Sequence, residues 1–359
     1  MKLGILTFHS AHNYGAVLQA YGLQEYLKQH GHDVYVIDYR PDYITRCYPK
    51  DGSVFWKNAD FLECVRGIYN YYVHSSIRHH RWDNFEHFIT SRLNLYPYHF
   101  GMDFHEFDAV FIGSDQVWSK ALTGGQFDPV MFGSGFQCKI ISYAPSSTTL
   151  SLTDADKDFL RTHLDDFHAI SVRETALQRI YQPFTTKKID VVVDPTLLAG
   201  RLCFDSIASE SSWKRPYVLI YEINGHHEVY ETAKRVAKMM DADLLELTNG
   251  MRLYHRRIMK EDATPEDFIN LFKNAACVLT TSFHGTVFSL MFNTPFYTIL
   301  QGTKADSRMV SLLSLLDMMD RTIVMGETPK EVKPLENDTQ EKIRNLVKSS
   351  EDFITVSLQ

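Results

Sequence analysis

Short apolar runs alternate along this chain with amphipathic stretches, and the alternation reads as strands and helices. Residues 3–7 read as a strand. Residues 15–30 follow as a helix, with Val17, Leu18, Tyr21, Leu23 and Leu27 near helical spacing and Gly31 where a stop is expected. Residues 33–39 (D-V-Y-V-I-D-Y) read as a second strand. A strand–helix–strand opening predicts a βαβ unit in a parallel sheet. Further strands are predicted at 108–112, 139–143, 168–172 and 189–193, and helices at 59–92 and 153–164. Residues 42–58, rich in Tyr, Asp and Gly, read as an irregular loop.

The second half repeats the pattern. Strands are predicted at 217–221, 243–247, 277–281 and 296–300. Helices are predicted at 227–240, 265–274, 286–292, 307–316 and 337–349. Thr264 and Pro265 supply a cap and a first helical residue. Residues 195–215, with Pro195, Gly200 and a polar run at 209–214, read as a linker. The prediction is an α/β protein of two Rossmann-like lobes, 1–195 and 196–359, facing a central cleft. Such sheets bind ligands at the carboxyl ends of their strands.

Composition narrows the class. A chain of 359 residues with 44% hydrophobic and 23% charged positions has material for two cores. Lys and Arg total 37 against 44 Asp and Glu, a net charge of −7 that argues against a nucleic-acid partner. The five cysteines are scattered and form no C-x-x-C, so they read as reduced thiols rather than a disulfide frame or zinc site. No apolar run is long enough to cross a membrane. The first residues read better as a strand than as a signal peptide, because His9-Ser10-Ala11-His12-Asn13 follows the apolar run. A cytoplasmic location, or one at the inner face of the membrane, is expected. There are 16 histidines, and aromatic residues reach 13%, which fits sugar handling and a well-filled core equally.

The sharpest chemical signal is Thr280-Thr281-Ser282-Phe283-His284-Gly285-Thr286. A strand ends, a histidine is presented, and a helix opens whose free N–H groups favour an anion. His284 beside an anion is suited to donate a proton, and the same His could instead brace the turn. Arg173, at the end of the strand 168–172, reads as a bidentate anion clamp or as an ion pair with Glu174. In Gly113-Ser114-Asp115-Gln116-Val117-Trp118, Asp115 and Gln116 are placed to hold hydroxyls and Trp118 to stack on a sugar; a cap and a core Trp are the alternative. His12, Asn13 and Tyr14 lie in the first turn, which lacks G-x-G-x-x-G and so is no dinucleotide loop. Asp194-Pro195-Thr196 reads as a structural turn between the lobes. Lys304 and Arg308 add two cations near the expected cleft, or ordinary surface charge. P-loop, H-E-x-x-H and G-x-S-x-G motifs are missing, and no metal site is expected.

Several blocks in one order resemble the polysaccharide pyruvyltransferase family. They are Asn13-Tyr14-Gly15-Ala16-Val17-Leu18-Gln19-Ala20-Tyr21, Gly113 to Trp118, Ser142-Tyr143-Ala144, Ser171-Val172-Arg173-Glu174, Val193-Asp194-Pro195-Thr196-Leu197-Leu198, and Ser282-Phe283-His284-Gly285-Thr286 followed by Phe288-Ser289. The resemblance implies a fold similar to two-lobed GT-B glycosyltransferases. It implies transfer of a carboxyethylidene group from phosphoenolpyruvate to two hydroxyls of a sugar. The acceptor would belong to a capsule, exopolysaccharide or cell-wall glycan, free or as a lipid-linked repeat unit, with peripheral membrane contact in the second case. No cofactor is implied. The family's catalytic His falls on His284 and its donor-binding Arg on Arg173, with Asp115 as the expected base. Ser282, Gly285, Thr286, Lys304 and Arg308 complete the expected donor side. His12, Asn13, Tyr14, Gln116 and Trp118 form the acceptor side. Members of the family often carry an Arg two residues before the His; here that position is Ser282. Either another cation substitutes, with Arg308 and Lys304 the candidates, or this branch of the family uses a different substrate. A nucleotide-sugar glycosyltransferase and a non-catalytic glycan-binding paralogue are the competing readings.

Overall fold

The computed structural model describes residues 1–50, 61–149, 151–210, 213–222, 225–248 and 259–359, with the backbone alone for 61–74 and 259. The first lobe is built from β1 (Lys2–Leu6), α1 (Tyr14–Gln29), β2 (Asp33–Asp38), α2 (Asp42–Thr45), α3 (Phe61–Arg92), β3 (Leu95–Pro97), β4 (Ala109–Ile112), β5 (Lys139–Ser142), α4 (Asp154–His163), β6 (Ala169–Val172), α5 (Thr175–Tyr181) and β7 (Ile189–Val191). Its strands form a parallel sheet in the order β3-β2-β1-β4-β5-β6-β7. After α6 (Pro195–Asp205) come β8 (Tyr217–Tyr221), α7 (His227–Met239), β9 (Asp243–Leu247), β10 (Met259–Lys260), α8 (Pro265–Asn274), β11 (Cys277–Thr280), α9 (Phe283–Phe292), β12 (Phe296–Leu300), α10 (Asp306–Leu315), β13 (Thr322–Val324) and α11 (Thr339–Ser357). This second sheet is also parallel, in the order β10-β9-β8-β11-β12-β13.

The architecture is therefore two parallel-sheet α/β lobes. Every residue of β4, β8 and β11 is buried, as expected of strands covered on both faces. In each sheet the order reverses once, between β1 and β4 and between β8 and β11. Ligand sites of open parallel sheets lie outside the strand ends at such reversals. The loops following β1 and β4, and the helix α9 following β11, leave from these points.

One apolar core runs through both lobes. It is carried by α1, α6, α8 and α9, which pack on one another. Tyr14 stacks on Phe268 at 4.8 Å, and Phe204 meets Phe288 edge-on at 5.2 Å. The final helix bridges the lobes as well: Gln340 donates to the Leu290 carbonyl, and the Ser350 hydroxyl accepts from the Val193 N–H at 2.9 Å.

Several sequence readings are corrected. The expected linker begins with a helix, α6, because Asp194 caps it and Pro195 occupies its first turn. α9 starts at Phe283 instead of 286, and α11 extends to Ser357. Part of the expected loop after 41 is helical (α2), and its 51–58 portion lies outside the described residues. β3, β10 and β13 were not foreseen; each is two or three residues long and shows no periodicity.

Candidate active site

His284 is the second residue of α9 and is 6% exposed. Its Nε2 lies 3.5 Å from Oδ2 of Asp194 and has no hydrogen-bond partner. On its other edge the ring meets α1 of the opposite lobe. A Cβ built on Gly15 would stand 2.0 Å from His284 Nδ1, so this approach of two helix starts is open only to glycine. Gly285 is required for a similar reason: a Cβ there would stand 2.2 Å from Thr280 Oγ1. The imidazole is thus held between α1, α6 and α9 at their N-terminal ends. Those ends carry positive dipole character and unmatched N–H groups.

Asp194 organises the centre. Its Oδ1 caps α6 by accepting from the Thr196 N–H (3.0 Å) and hydroxyl (2.7 Å). Its Oδ2 accepts from Arg173 Nη1 at 2.8 Å and from the Ser114 hydroxyl at 3.3 Å. Burial disfavours the charged carboxylate. The neighbouring His284, the Arg173 guanidinium and the Thr196 N–H outweigh it and hold the group well below the usual carboxylate range.

Arg173 is buried and heavily engaged. Besides Asp194, its Nε donates to Glu174 at 3.1 Å, and its guanidinium lies 4.1 Å from the centre of the Phe283 ring. Nη2 has no hydrogen-bond partner and sits 3.9 Å from Asp115 Oδ1. Behind the pair an apolar cavity of about 50 Å³ is lined by Val191, Val193, Leu197, Leu312 and Leu346. Arg308, on α10, joins the group from the second lobe. Burial and then the Arg173 cation lower its pKa, against the pull of Asp115, Glu174 and Asp306. Its Nε makes a long contact with the Ala305 carbonyl (3.4 Å), which leaves the rest of the fork for a ligand.

A buried histidine, two arginines and a carboxylate beside helix N-termini suit the handling of an anionic substrate. The model of a family described as polysaccharide pyruvyl transferase matches residues 13–301. The chain belongs to the polysaccharide pyruvyl transferase family. No curated protein matches it. Solved structures similar to it include UDP-GlcNAc 2-epimerase from Methanocaldococcus jannaschii (13% identity, TM-score 0.44, covering 97% of this chain and 92% of that one). They also include the glycosyltransferase SnogD from Streptomyces nogalater (10%, 0.42, 99% and 99%) and MurG from Acinetobacter baumannii (10%, 0.41, 100% and 95%).

In this pyruvyl transferase family member the expected site residues divide. His284, Arg173, Asp115 and Arg308 come together. Ser282 is buried at the start of α9, and its side chain caps nothing. Gln116 is half-buried next to Asp115. Asn13 serves as the cap of α1, accepting from the Gly15 N–H at 3.0 Å.

The others are corrected. Trp118 is fully buried, stacked on Phe132 at 4.8 Å with its N–H on the Met131 carbonyl, so it cannot face a sugar. Tyr14 is fully buried too, donating to the Ala263 carbonyl and accepting from Arg81. The Thr286 N–H is occupied by the Ser282 carbonyl and its hydroxyl pairs with Thr298, so the free donors of α9 lie earlier in its first turn. Lys304 stands on the exposed turn before α10. Arg173 offers one free nitrogen, not the fork the sequence suggested. His12 is buried with its Nε2 on Glu86 at 3.0 Å. Asp194 was missed as a site residue. Asp-Pro fits a turn and a helix start alike, and the helix-start reading was the signal available.

Among the described residues no helix is long and apolar enough to cross a membrane.

Proposed function

We propose that the protein transfers a carboxyethylidene (pyruvyl ketal) group from phosphoenolpyruvate to two hydroxyls of a sugar in a polysaccharide or its precursor, with release of phosphate. The observation that carries the reading is the placement of His284 against Asp194 and Gly15, beside the unpartnered Nη2 of buried Arg173.

Phosphoenolpyruvate brings a carboxylate and a phosphate of about −1.5 to −2 charges at neutral pH. Arg308, Arg173 Nη2 and the first-turn N–H groups of α9 hold these anions. His284, as imidazolium braced by Asp194, gives its proton to the methylene carbon. Positive character then builds at C2. A sugar hydroxyl attacks C2 and loses its proton to Asp115. The C2–O bond to phosphate breaks, and a second hydroxyl adds to C2, closing the cyclic ketal. The proton taken up by Asp115 leaves with phosphate or to solvent, and the proton of the second hydroxyl restores His284. Proton donation by a positioned side chain contributes roughly 10²–10⁴-fold.

The test is phosphate release from phosphoenolpyruvate with a panel of galactose-, glucose- and mannosamine-containing acceptors, run beside His284→Ala. Release that needs both an acceptor and His284 supports the reading. No release together with no calorimetric binding of phosphoenolpyruvate overturns it.

A further inference from the structure

Beyond the donor side, one group of side chains has no part in the chemistry above. Tyr48, half-buried just after α2, has its ring centre 5.9 Å from that of His12. Trp82, half-buried on α3, stands 5.4 Å from the same imidazole on another side. The His12 ring is held flat on Phe85 at 5.4 Å, is fixed by Glu86, and meets both half-buried rings. The Tyr48 hydroxyl and the Trp82 N–H hydrogen-bond to no described residue. Burial pushes the Tyr48 phenol up to about 12. His12 and Asp115 lie on the loops that leave the neighbouring ends of β1 and β4, at the same edge of the first sheet. Asp115 in turn lies 3.9 Å from Arg173.

The charges along this wall are matched. Lys50 covers one face of the Trp82 ring at 4.4 Å and is paired with Asp83 at 2.7 Å, so a sugar stacking on that face displaces this exposed side chain. Arg40 is divided between Asp38 and Glu86. Arg81 reaches across to the Glu261 carbonyl of the second lobe. Among the described residues, a ligand here meets rings and hydroxyl partners rather than a spare cation. Pyranoses offer an apolar C–H face and a rim of hydroxyls, which is the complement of such a surface.

We propose that Tyr48 and Trp82, set on His12, form the acceptor subsite and take an uncharged pyranose by its apolar face, with its reacting hydroxyls turned toward Asp115. This rests on the transferase reading above.

The experiment uses the full chain and the variants Tyr48→Ala, Tyr48→Phe and Trp82→Ala. Phosphate release is measured against methyl pyranosides and the corresponding uronic acids, and phosphoenolpyruvate binding is measured by calorimetry without acceptor. The expected result is an acceptor KM raised about tenfold or more in Trp82→Ala and Tyr48→Ala, with donor affinity unchanged. Tyr48→Phe keeps the stacking and loses only the hydroxyl, so a smaller rise is expected. Wild-type transfer with unaltered acceptor KM in both alanine variants overturns the subsite and leaves the transferase reading standing. A preference for uronic acids overturns the uncharged class. If the wild type neither binds phosphoenolpyruvate nor releases phosphate, the transferase reading fails separately. Quenching of tryptophan fluorescence by methyl pyranosides, lost in Trp82→Ala, then still supports the subsite, and no quenching overturns it.

Discussion

Nε2 of His284 lies 3.5 Å from Oδ2 of Asp194, and the same oxygen accepts from Arg173 at 2.8 Å. A single carboxylate oxygen thus serves the proposed proton donor and the proposed anion holder. Asp194→Asn is the informative change, because Asn still caps α6 while the charge is removed. Turnover is expected to fall by roughly 10²-fold or more. Stability to urea is expected to fall by about 3 kcal/mol, since Arg173 keeps Glu174 and loses its other buried partner. A folded variant with near-normal phosphate release would reduce Asp194 to a helix cap.

Gly15 is the reverse face of His284. Adding a methyl group at 2.0 Å from Nδ1 forces the imidazole or α1 to move. Gly15→Ala is expected to cost about 1–3 kcal/mol and to abolish turnover. The cause is testable by a double-mutant cycle. In a His284→Ala background the clash has no partner, so Gly15→Ala should become close to neutral for stability. Equal destabilisation in both backgrounds would place the clash elsewhere.

Arg308 and Lys304 both follow β12, but only Arg308 joins the cluster of Arg173, Asp115 and Glu174. Arg173 is already engaged by two carboxylates, so Arg308 has more binding capacity to offer a donor anion. Arg308→Ala is expected to raise the phosphoenolpyruvate KM by about 10–100-fold, the loss of one charge-assisted pair. Arg308→Lys should recover part of it, as a point charge does not replace a fork. Lys304→Ala should change it less than twofold, within the roughly ±0.5 kcal/mol of ordinary surface substitutions. Equal effects of Arg308→Ala and Lys304→Ala would refute the assignment of the cation.

The parallel alternation was readable because buried strands and amphipathic helices differ in period. His284 and Arg173 were readable for a related reason: each ends or follows an apolar run, and a strand's carboxyl end faces the cleft. Facing direction within a loop was not readable. Tyr14 and Trp118 sit beside the right motifs, yet both rings turn into cores built by distant residues such as Phe268 and Phe132. Tyr48 shows the opposite failure. Nothing in its local sequence marks it, and its ring meets His12 because the chain turns back after α2. Arg308 arrives from the other lobe, so its partnership depends on how the two lobes meet.

Acid should loosen the first-lobe support of this site before it touches the rest of the fold. Asp38 accepts from His9 at 2.8 Å and from Arg40 at 2.6 Å, and Arg40 continues to Glu86, which holds His12. Burial raises the Asp38 carboxyl, but the His9 and Arg40 hydrogen bonds and charges overcome it and bring it down to about 2. The unfolded value is about 3.9. A folded value below the unfolded one contributes stability that is fully present above about pH 4 and is lost as pH falls toward 2. Asp194 is depressed as well and adds to the loss in the same direction, further down the scale. For the partly exposed Asp38 the contribution is about 1–2 kcal/mol after screening. The urea midpoint of the wild type should therefore drop more steeply between pH 5 and pH 3 than that of Asp38→Asn. Parallel curves would show that the network contributes no acid-labile stability. The loop it braces runs from His9 to Asn13 and sets the start of α1, so the same acid step is expected to shift Gly15 against His284 and lower turnover before global unfolding.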